Sequence, residues 1–551
     1  MSDNIAFENT RMGETPLDYQ SVSRKQTIVP IADTNNGTYS GNIRYSITSL
    51  QGSFVNWNEA VLQIPITVTL STAGTAVACN EWAIGMKNGT VNLIDSFELK
   101  LNGVQLVTPQ AWSNVACVYK MLSSWSKDTL NKVGPSVAFW PDSTGSCRWI
   151  VSGTANVNGD NISNNVNYPL TPPILATVDG PTVAPEVWNE GFYKRQQFLN
   201  SYHQAGYGGF IGTGTGVPGI PPAQLLQPAK SYFVASSGAN LMGTWNLQCQ
   251  IRLCDLHDVF KKLPFSEYGQ VDMTFYYNQF NPTFTAATTP TFVLAATGQQ
   301  FGNTCPFMVA SSATSNGGAL VAASTNAGLI TMAMSIGNKI QAGTQLFVPV
   351  YDLDPEYRAN LVATRPFSIC RYEKMLQNFT SVAANTSFNF NVTPGQANVK
   401  SIVVVPAYAN SGNNQTIAIN QAASPFDSYP GTTCPLASIV QFNVLINNRP
   451  VFPSNVNYEF DMFLNQVQRI NALNSGDVDC LNSGLINEFM WTNAMRYYVA
   501  DLQRGELENE SSPKSINIIG TNNTNVKLDL YTFLFFENTV KVYTETGAIE
   551  I

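Results

Sequence analysis

At 551 residues the chain is long enough for about two to four domains, and it can bury its cores without disulfide or metal staples. Only 12% of its residues are charged, against the ~25% usual in globular proteins. The formal net charge is −8, and no Lys or Arg run exceeds a pair such as Lys261-Lys262, so a basic face for gripping nucleic acid is excluded.

The nine cysteines are scattered at 79, 117, 147, 249, 254, 305, 370, 434 and 480, with no Cys-x-x-Cys pair. That pattern predicts free buried thiols in a reducing compartment, not a disulfide framework or a zinc site. Residues 1–9 carry neither a basic n-region nor an apolar h-region, so no secretory signal is expected. No window is apolar enough to predict a membrane span. Triplets such as Asn378-Phe379-Thr380 follow from the abundance of Asn and Thr and are expected to stay unmodified.

In chain order, residues 1–28 are polar and aperiodic and read as an N-terminal arm. Leu62, Ile64, Ile66, Val68 and Leu70 alternate with other residues, the signature of a half-buried strand. Pro65 cannot donate to a ladder, which predicts an edge or bulge at that point. Phe97, Leu99 and Leu101 alternate again and run into Asn102-Gly103, a tight hairpin turn. Trp112, Val115, Tyr119 and Leu122 then form one apolar helical stripe. Residues 131–227, dense in Gly, Pro, Asn and Ser, read as a large insertion. A strand over 245–253 leads into a short helix, Asp255–Leu263, with Leu256, Val259, Phe260 and Leu263 on its apolar side and Pro264 ending it. Val271, Met273, Phe275 and Tyr277 alternate as a strand, 279–340 is a second excursion, and a strand over 345–351 closes the first domain. Residues 356–364 read as a polar linker.

The second domain, 365–551, repeats part of this programme. Phe442, Val444, Ile446 and Asn447 match Phe97, Leu99, Leu101 and Asn102. Phe460, Phe463, Val467 and Ile470 repeat the helical stripe at the same spacing. Asp501-Leu502 repeats Asp255-Leu256 as the end of an apolar strand. The first half holds roughly 100 more residues than the second between its stripe and its Asp-Leu pair, as an insertion would require. Two related β domains are therefore expected. The fold class is all-β: two tandem eight-stranded antiparallel jelly rolls with short helices and long inserted loops. The first covers 29–355 and carries the insertion 131–227 and the loop excursion 279–340; the second covers 365–551.

A chemical site is hard to assemble. His203 and His257 are the only histidines, one in the insertion and one on the polar face of a short helix, and neither sits near a nucleophile or a metal set. Asp352, Asp354 and Glu356, and separately Asp477 and Asp479, have the spacing for calcium or an acid/base pair. Solvated loop carboxylates are the simpler reading. Trp112, Trp125, Trp149, Trp188 and Trp491 read as packing residues, not as a sugar platform. The run Gly212-Thr-Gly-Thr-Gly216 lacks the Lys-Ser/Thr and the βαβ unit of a phosphate loop. No catalytic, cofactor-binding or metal residue is assigned, and an enzyme is not expected.

Several short motifs carry a family resemblance: Leu346-Phe-Val-Pro-Val-Tyr351 followed by Asp352-Leu-Asp-Pro-Glu356, Val403-Val-Val-Pro-Ala-Tyr408, Ser424-Pro-Phe-Asp-Ser428, Phe442-Asn-Val-Leu-Ile-Asn447, Ser483-Gly-Leu-Ile486, Arg496-Tyr-Tyr-Val-Ala-Asp-Leu-Gln-Arg504 and Pro513-Lys-Ser-Ile516. In their order they resemble the double jelly-roll major capsid proteins of small double-stranded DNA viruses of eukaryotes: virophages, polinton-like viruses and adintovirus-type elements. The resemblance spans nearly all of 30–551, with 131–227 the main departure. It implies a homotrimer forming a pseudo-hexameric capsomer, and capsomers tiling an icosahedral virion shell assembled inside the host cell. The implied partners are neighbouring capsomers, penton and minor capsid proteins and an internal membrane, with no sequence-specific nucleic-acid contact and no cofactor. The alternatives are a carbohydrate-binding β protein like a phage tail spike or lectin, separable by glycan binding, and a surface adhesin, which the expected lack of a secretory signal disfavours.

Overall fold

The computed structural model describes residues 25–550, except 73–81, 142–230, 409–436, 476–482, 503–512, parts of 278–328 and breaks of one to five residues elsewhere. The first sandwich is built from β1 (Lys25–Ala32), β2 (Asn42–Ile47), β3 (Val61–Thr72), β4 (Ile94–Leu101), β5 (Val104–Val107), β6 (Leu241–Arg252), β7 (Val271–Tyr277) and β8 (Gln345–Asp352). Its sheets run β1-β8-β3-β6 and β2-β7-β4-β5, all antiparallel. The second is built from β9 (Phe367–Val382), β10 (Ser387–Val392), β11 (Val399–Tyr408), β12 (Ile439–Ile446), β13 (Arg449–Pro450), β14 (Tyr498–Asp501), β15 (Ile516–Asn522) and β16 (Leu528–Tyr543). Its sheets run β9-β16-β11-β14 and β10-β15-β12-β13. Every neighbour in the first sandwich thus has its counterpart eight strands later. In each, the first strand pairs with the last, the second with the seventh, the third with the sixth and the fourth with the fifth. That is a long hairpin rolled up on itself, the jelly roll.

The repeated hairpin turns are conformationally alike. Asn102 and Gly103 have φ of 48° and 82°, and Asn447 and Asn448 have 48° and 64°, as a two-residue turn matching strand twist requires. Phe97, Leu99 and Leu101, and their counterparts Phe442, Val444 and Ile446, all point into the core. Each stripe lies on a helix: α1 (Ser113–Ser124) with Val115, Tyr119 and Leu122 buried, and a longer helix, Phe460–Ser475, with Phe463 and Val467 buried.

Four readings change in detail. The first strand begins at Lys25, inside the stretch read as arm, and Lys25 to Ile28 pair with Asp352 to Pro349. An edge strand needs only one ladder, so a segment containing Pro30 can serve. The linker is a ten-residue helix, α2 (Pro355–Thr364), capped by Asp354, whose side chain accepts from the Glu356 N–H at 3.0 Å; Asp before Pro is a strong helix start. The first part of the predicted insertion belongs to the first barrel. A helical turn covers Lys127–Val133, and Val137, Ala138 and Phe139 are buried; 142–227 falls outside the described residues. Finally, Leu253–Leu256 turns helical where a strand end was expected, and Val259–Lys262 forms a separate turn after it.

The excursion 279–340 contributes strands of its own. Leu329–Ile336 pairs with the far half of β3, from Ile66 to Thr72, while β8 takes only Val61 to Gln63 on the same edge. Pro65 falls in the gap between these two partners, where an N–H has nothing to donate to. Its carbonyl accepts from Gly337 N at 2.9 Å. One apolar core cluster runs through both sandwiches without a break.

Candidate functional site: the junction between the two barrels

With no catalytic constellation predicted, the chemistry of interest lies where the barrels meet. Helix α1 fills that junction. Its first turn is set by Trp112, held at φ 57°, a region rarely used by a bulky side chain. Its N–H donates to Asp95 Oδ1 at 3.2 Å, and the Ser113 hydroxyl donates to the Asp95 carbonyl at 2.7 Å. Burial pushes the Asp95 carboxyl up to about 6, with the Trp112 N–H pulling it back. The indole so placed meets Phe379 and Tyr531 of the second barrel, with ring centres 5.4 and 5.0 Å away. Two turns further, Tyr119 meets Tyr497 edge-on at 5.1 Å.

Polar contacts cross the same seam. Lys120 Nζ pairs with Glu373 at 2.7 Å and lies 4.5 Å above the Phe535 ring. The Tyr372 hydroxyl donates to the Leu106 carbonyl at 2.9 Å and accepts from Asn538 at 2.9 Å. Leu485 N donates to the Leu122 carbonyl at 2.7 Å. Beside it, Gly484 has φ +68°, and a Cβ there would lie 2.4 Å from the Ser123 carbonyl carbon. The backbone of the second barrel can dock on the end of α1 only without a side chain, which explains the Gly in Ser483-Gly-Leu-Ile486. A seam this broad, with a half-buried ion pair and aromatic contacts, resists separation. Deleting one partner of such a pair strands the other's charge.

Below α1 the barrels leave a cavity of about 250 Å³. Met121, Trp125, Leu376 and Phe535 supply apolar wall, and Lys120, Asp258, Lys261 and Lys374 supply charge. His257 also faces it. It is not on a polar helix face as expected: it separates the two helical turns and sits between Phe97 and Tyr372, at 6.3 and 6.4 Å. Its Nδ1 accepts from Val259 N at 3.1 Å. Burial first, then Lys120, hold its pKa down at about 3, so the ring stays neutral. The Cys117 thiol donates to the Leu256 carbonyl at 3.0 Å, and burial pushes it up to about 12, which makes it a poor nucleophile.

The remaining candidates stay apart. Asp354 caps α2, and Asp352 accepts from Ser53 at 3.4 Å. Among the described residues, no three His, Cys, Asp or Glu side chains gather to hold a metal. Trp125 packs edge-on against Phe139 at 5.3 Å, and Trp491 donates to the Tyr497 carbonyl at 3.1 Å. Cys117, Cys249, Cys254 and Cys370 are buried free thiols. His203, Trp149, Trp188, Asp477, Asp479, the other five cysteines and the 212–216 run lie outside the described residues. The junction itself was invisible to sequence reasoning. Its one legible signal was the Trp112 stripe, read as core of one domain when it is shared by two.

No family model matches this sequence, and no curated protein does either. Among solved structures, a chain of the Sputnik virophage determined by cryo-electron microscopy is similar, with a TM-score of 0.52 and 11% identity, covering 98% of this chain and 91% of that one. The mavirus major capsid protein gives a TM-score of 0.42 at 8% identity, covering 98% and 91%; the Faustovirus major capsid protein gives 0.43 at 11%, covering 97% and 93%. With strand order repeated in full and the Sputnik virophage chain matched along nearly its whole length, this chain has the double jelly-roll fold.

Proposed function

We propose that this protein is the major capsid protein of a double-stranded DNA virus, a structural protein and not an enzyme. The observation that carries the reading is the junction: two identically wired barrels are locked side by side within one chain by α1. Two barrels fixed at one spacing make a building block with two nearly equivalent faces. Three such blocks around a three-fold axis give six upright barrels, a pseudo-hexameric capsomer able to tile an icosahedral shell. The low charge of the chain suits surfaces that end up covered by neighbouring copies. In this reading the protein resides in the virion, and its capsomers contact one another and penton and minor capsid proteins.

Native mass spectrometry and negative-stain imaging of the purified chain test this. The expected result is a homotrimer with a hexagonal outline. A monomer at micromolar concentration that binds glycans would replace the proposal with the lectin-like alternative.

A further inference from the structure

We propose that the cavity between the barrels is a binding site for a small amphipathic carboxylate, a short aliphatic chain ending in one anionic group. The charge arrangement points to the anion. Of the acids around the cavity, Glu373 is committed to Lys120 at 2.7 Å and Asp255 to Arg252 at 3.3 Å. Asp258 accepts from the Glu373 N–H at 3.4 Å and has no ion pair among the described residues, so it offsets one of the two lysines that follow and leaves one positive charge over. Lys261 and Lys374 face the same space with no ion pair among the described residues. Lys374 is half-buried, its ammonium 6.0 Å from the centre of the Tyr372 ring, and burial lowers its pKa. A partly desolvated ammonium without a counter-ion gains a charge-assisted bond from an incoming carboxylate.

The wall points to the rest of the ligand. Met121, Trp125, Leu376 and Phe535 line the cavity beside these lysines. Methionine adapts to irregular aliphatic shapes. Lys120, though enclosed between the barrels, keeps 37% of its side-chain surface open because it borders this hollow. An inorganic anion would leave the apolar wall wet, and a neutral alcohol would leave the ammonium unpaired. A carboxylate with an alkyl tail satisfies both. Its volume is just under that of drug-sized pockets, so the tail is short. The occupant would touch α1 of the first barrel and β9 and β16 of the second, bridging them. The site belongs to one chain, so it stands whether or not the chain assembles.

The test uses the full chain and three probes: octanoate, 1-octanol and inorganic phosphate. Octanoate is expected to raise the melting temperature by a few degrees at saturation and to change tryptophan emission, a change lost in Trp125→Phe. Lys374→Met is expected to weaken octanoate binding roughly tenfold or more, and Lys374→Arg to retain it. Lys374 makes no ion pair among the described residues, so the Met variant should fold, as its unliganded melting temperature will report. No shift with octanoate, an equal shift with phosphate or 1-octanol, unchanged affinity in Lys374→Met, or an emission change surviving Trp125→Phe would overturn the assignment.

Discussion

The two barrels share wiring but not loops, and the difference separates what folds the protein from what decorates it. In the second barrel β15 ends at Asn522 and β16 begins at Leu528; in the first, the equivalent strands end at Tyr277 and begin at Gln345. The sheet orders are nevertheless the same. A jelly roll is thus indifferent to what joins its strands at that end, as expected if loop-closure entropy grows only slowly with length. What both barrels retain is the hairpin asparagine. Asn102 donates its N–H to the Gln270 carbonyl at 2.8 Å and accepts from Gln270 N at 2.7 Å; Asn447 does the same with Ser515 at 2.8 and 2.9 Å. One side chain at the turn fixes the start of the seventh strand in both.

The largest effect is expected where the barrels differ most in role. The first barrel supplies α1 to the junction with Trp112 at its start, so Trp112→Ala removes contacts to Phe379 and Tyr531. It should cost about 3–5 kcal/mol. Because the lost contacts lie between barrels, denaturant unfolding should split from one transition into two. A single transition displaced as a whole would show that Trp112 serves one barrel's core instead.

The asparagine pair comes next. Asn102→Ala and Asn447→Ala each leave a turn without its side-chain acceptor, at about 1–2 kcal/mol. Urea midpoints should show two similar losses that add in the double variant, since the sites lie in separate barrels. A loss at one site alone would break the equivalence. Asn102 also donates to the Thr546 carbonyl at 3.2 Å, so any excess should fall on its side.

How far these features were legible follows from their range. The hairpins, both stripes and the alternating strands rest on spacing between near neighbours, and the structure holds them. Lys25–Ala32 is not legible in this way, because an edge strand carrying Pro30 shows little apolar alternation. The α2 helix was underread because its polar residues hide its length, although Asp354-Pro355 marks its start. The junction depends on residues far apart, such as Lys120 with Glu373, and no local period encodes that. His257 was misplaced for the same reason: its burial comes from Tyr372, which belongs to the other barrel.

A smaller effect is expected from pH, and it is confined to the first barrel. The Asp95 carboxyl is raised by burial from 3.8 to about 6 in the folded chain. The unfolded chain therefore releases this proton at lower pH than the folded one, and the folded state binds more protons between those values. Stability from this group grows as pH falls from 7 toward 5, by about 1 kcal/mol, and is lost again as pH rises through 6. Melting temperature against pH, compared with Asp95→Asn, should show that increment only in the parent. Identical profiles would mean that Trp112 keeps its conformation regardless of the Asp95 charge.

The smallest expected effect tests whether the first barrel is complete without its insertion. All eight of its strands lie outside 150–220, and β6 pairs with β3 from Arg252 back to Leu241. The second barrel closes the same sheet order with far less chain between its corresponding elements. Deleting 150–220 and joining the ends with a short Gly/Ser linker should therefore change the melting temperature by no more than a few degrees and leave far-ultraviolet circular dichroism strand-rich. Chain closure over a shorter loop even favours the deletion slightly. An insoluble or molten product would mean that the first barrel depends on contacts from 150–220 that its twin does without. The shared wiring would then describe the strand order without accounting for the stability.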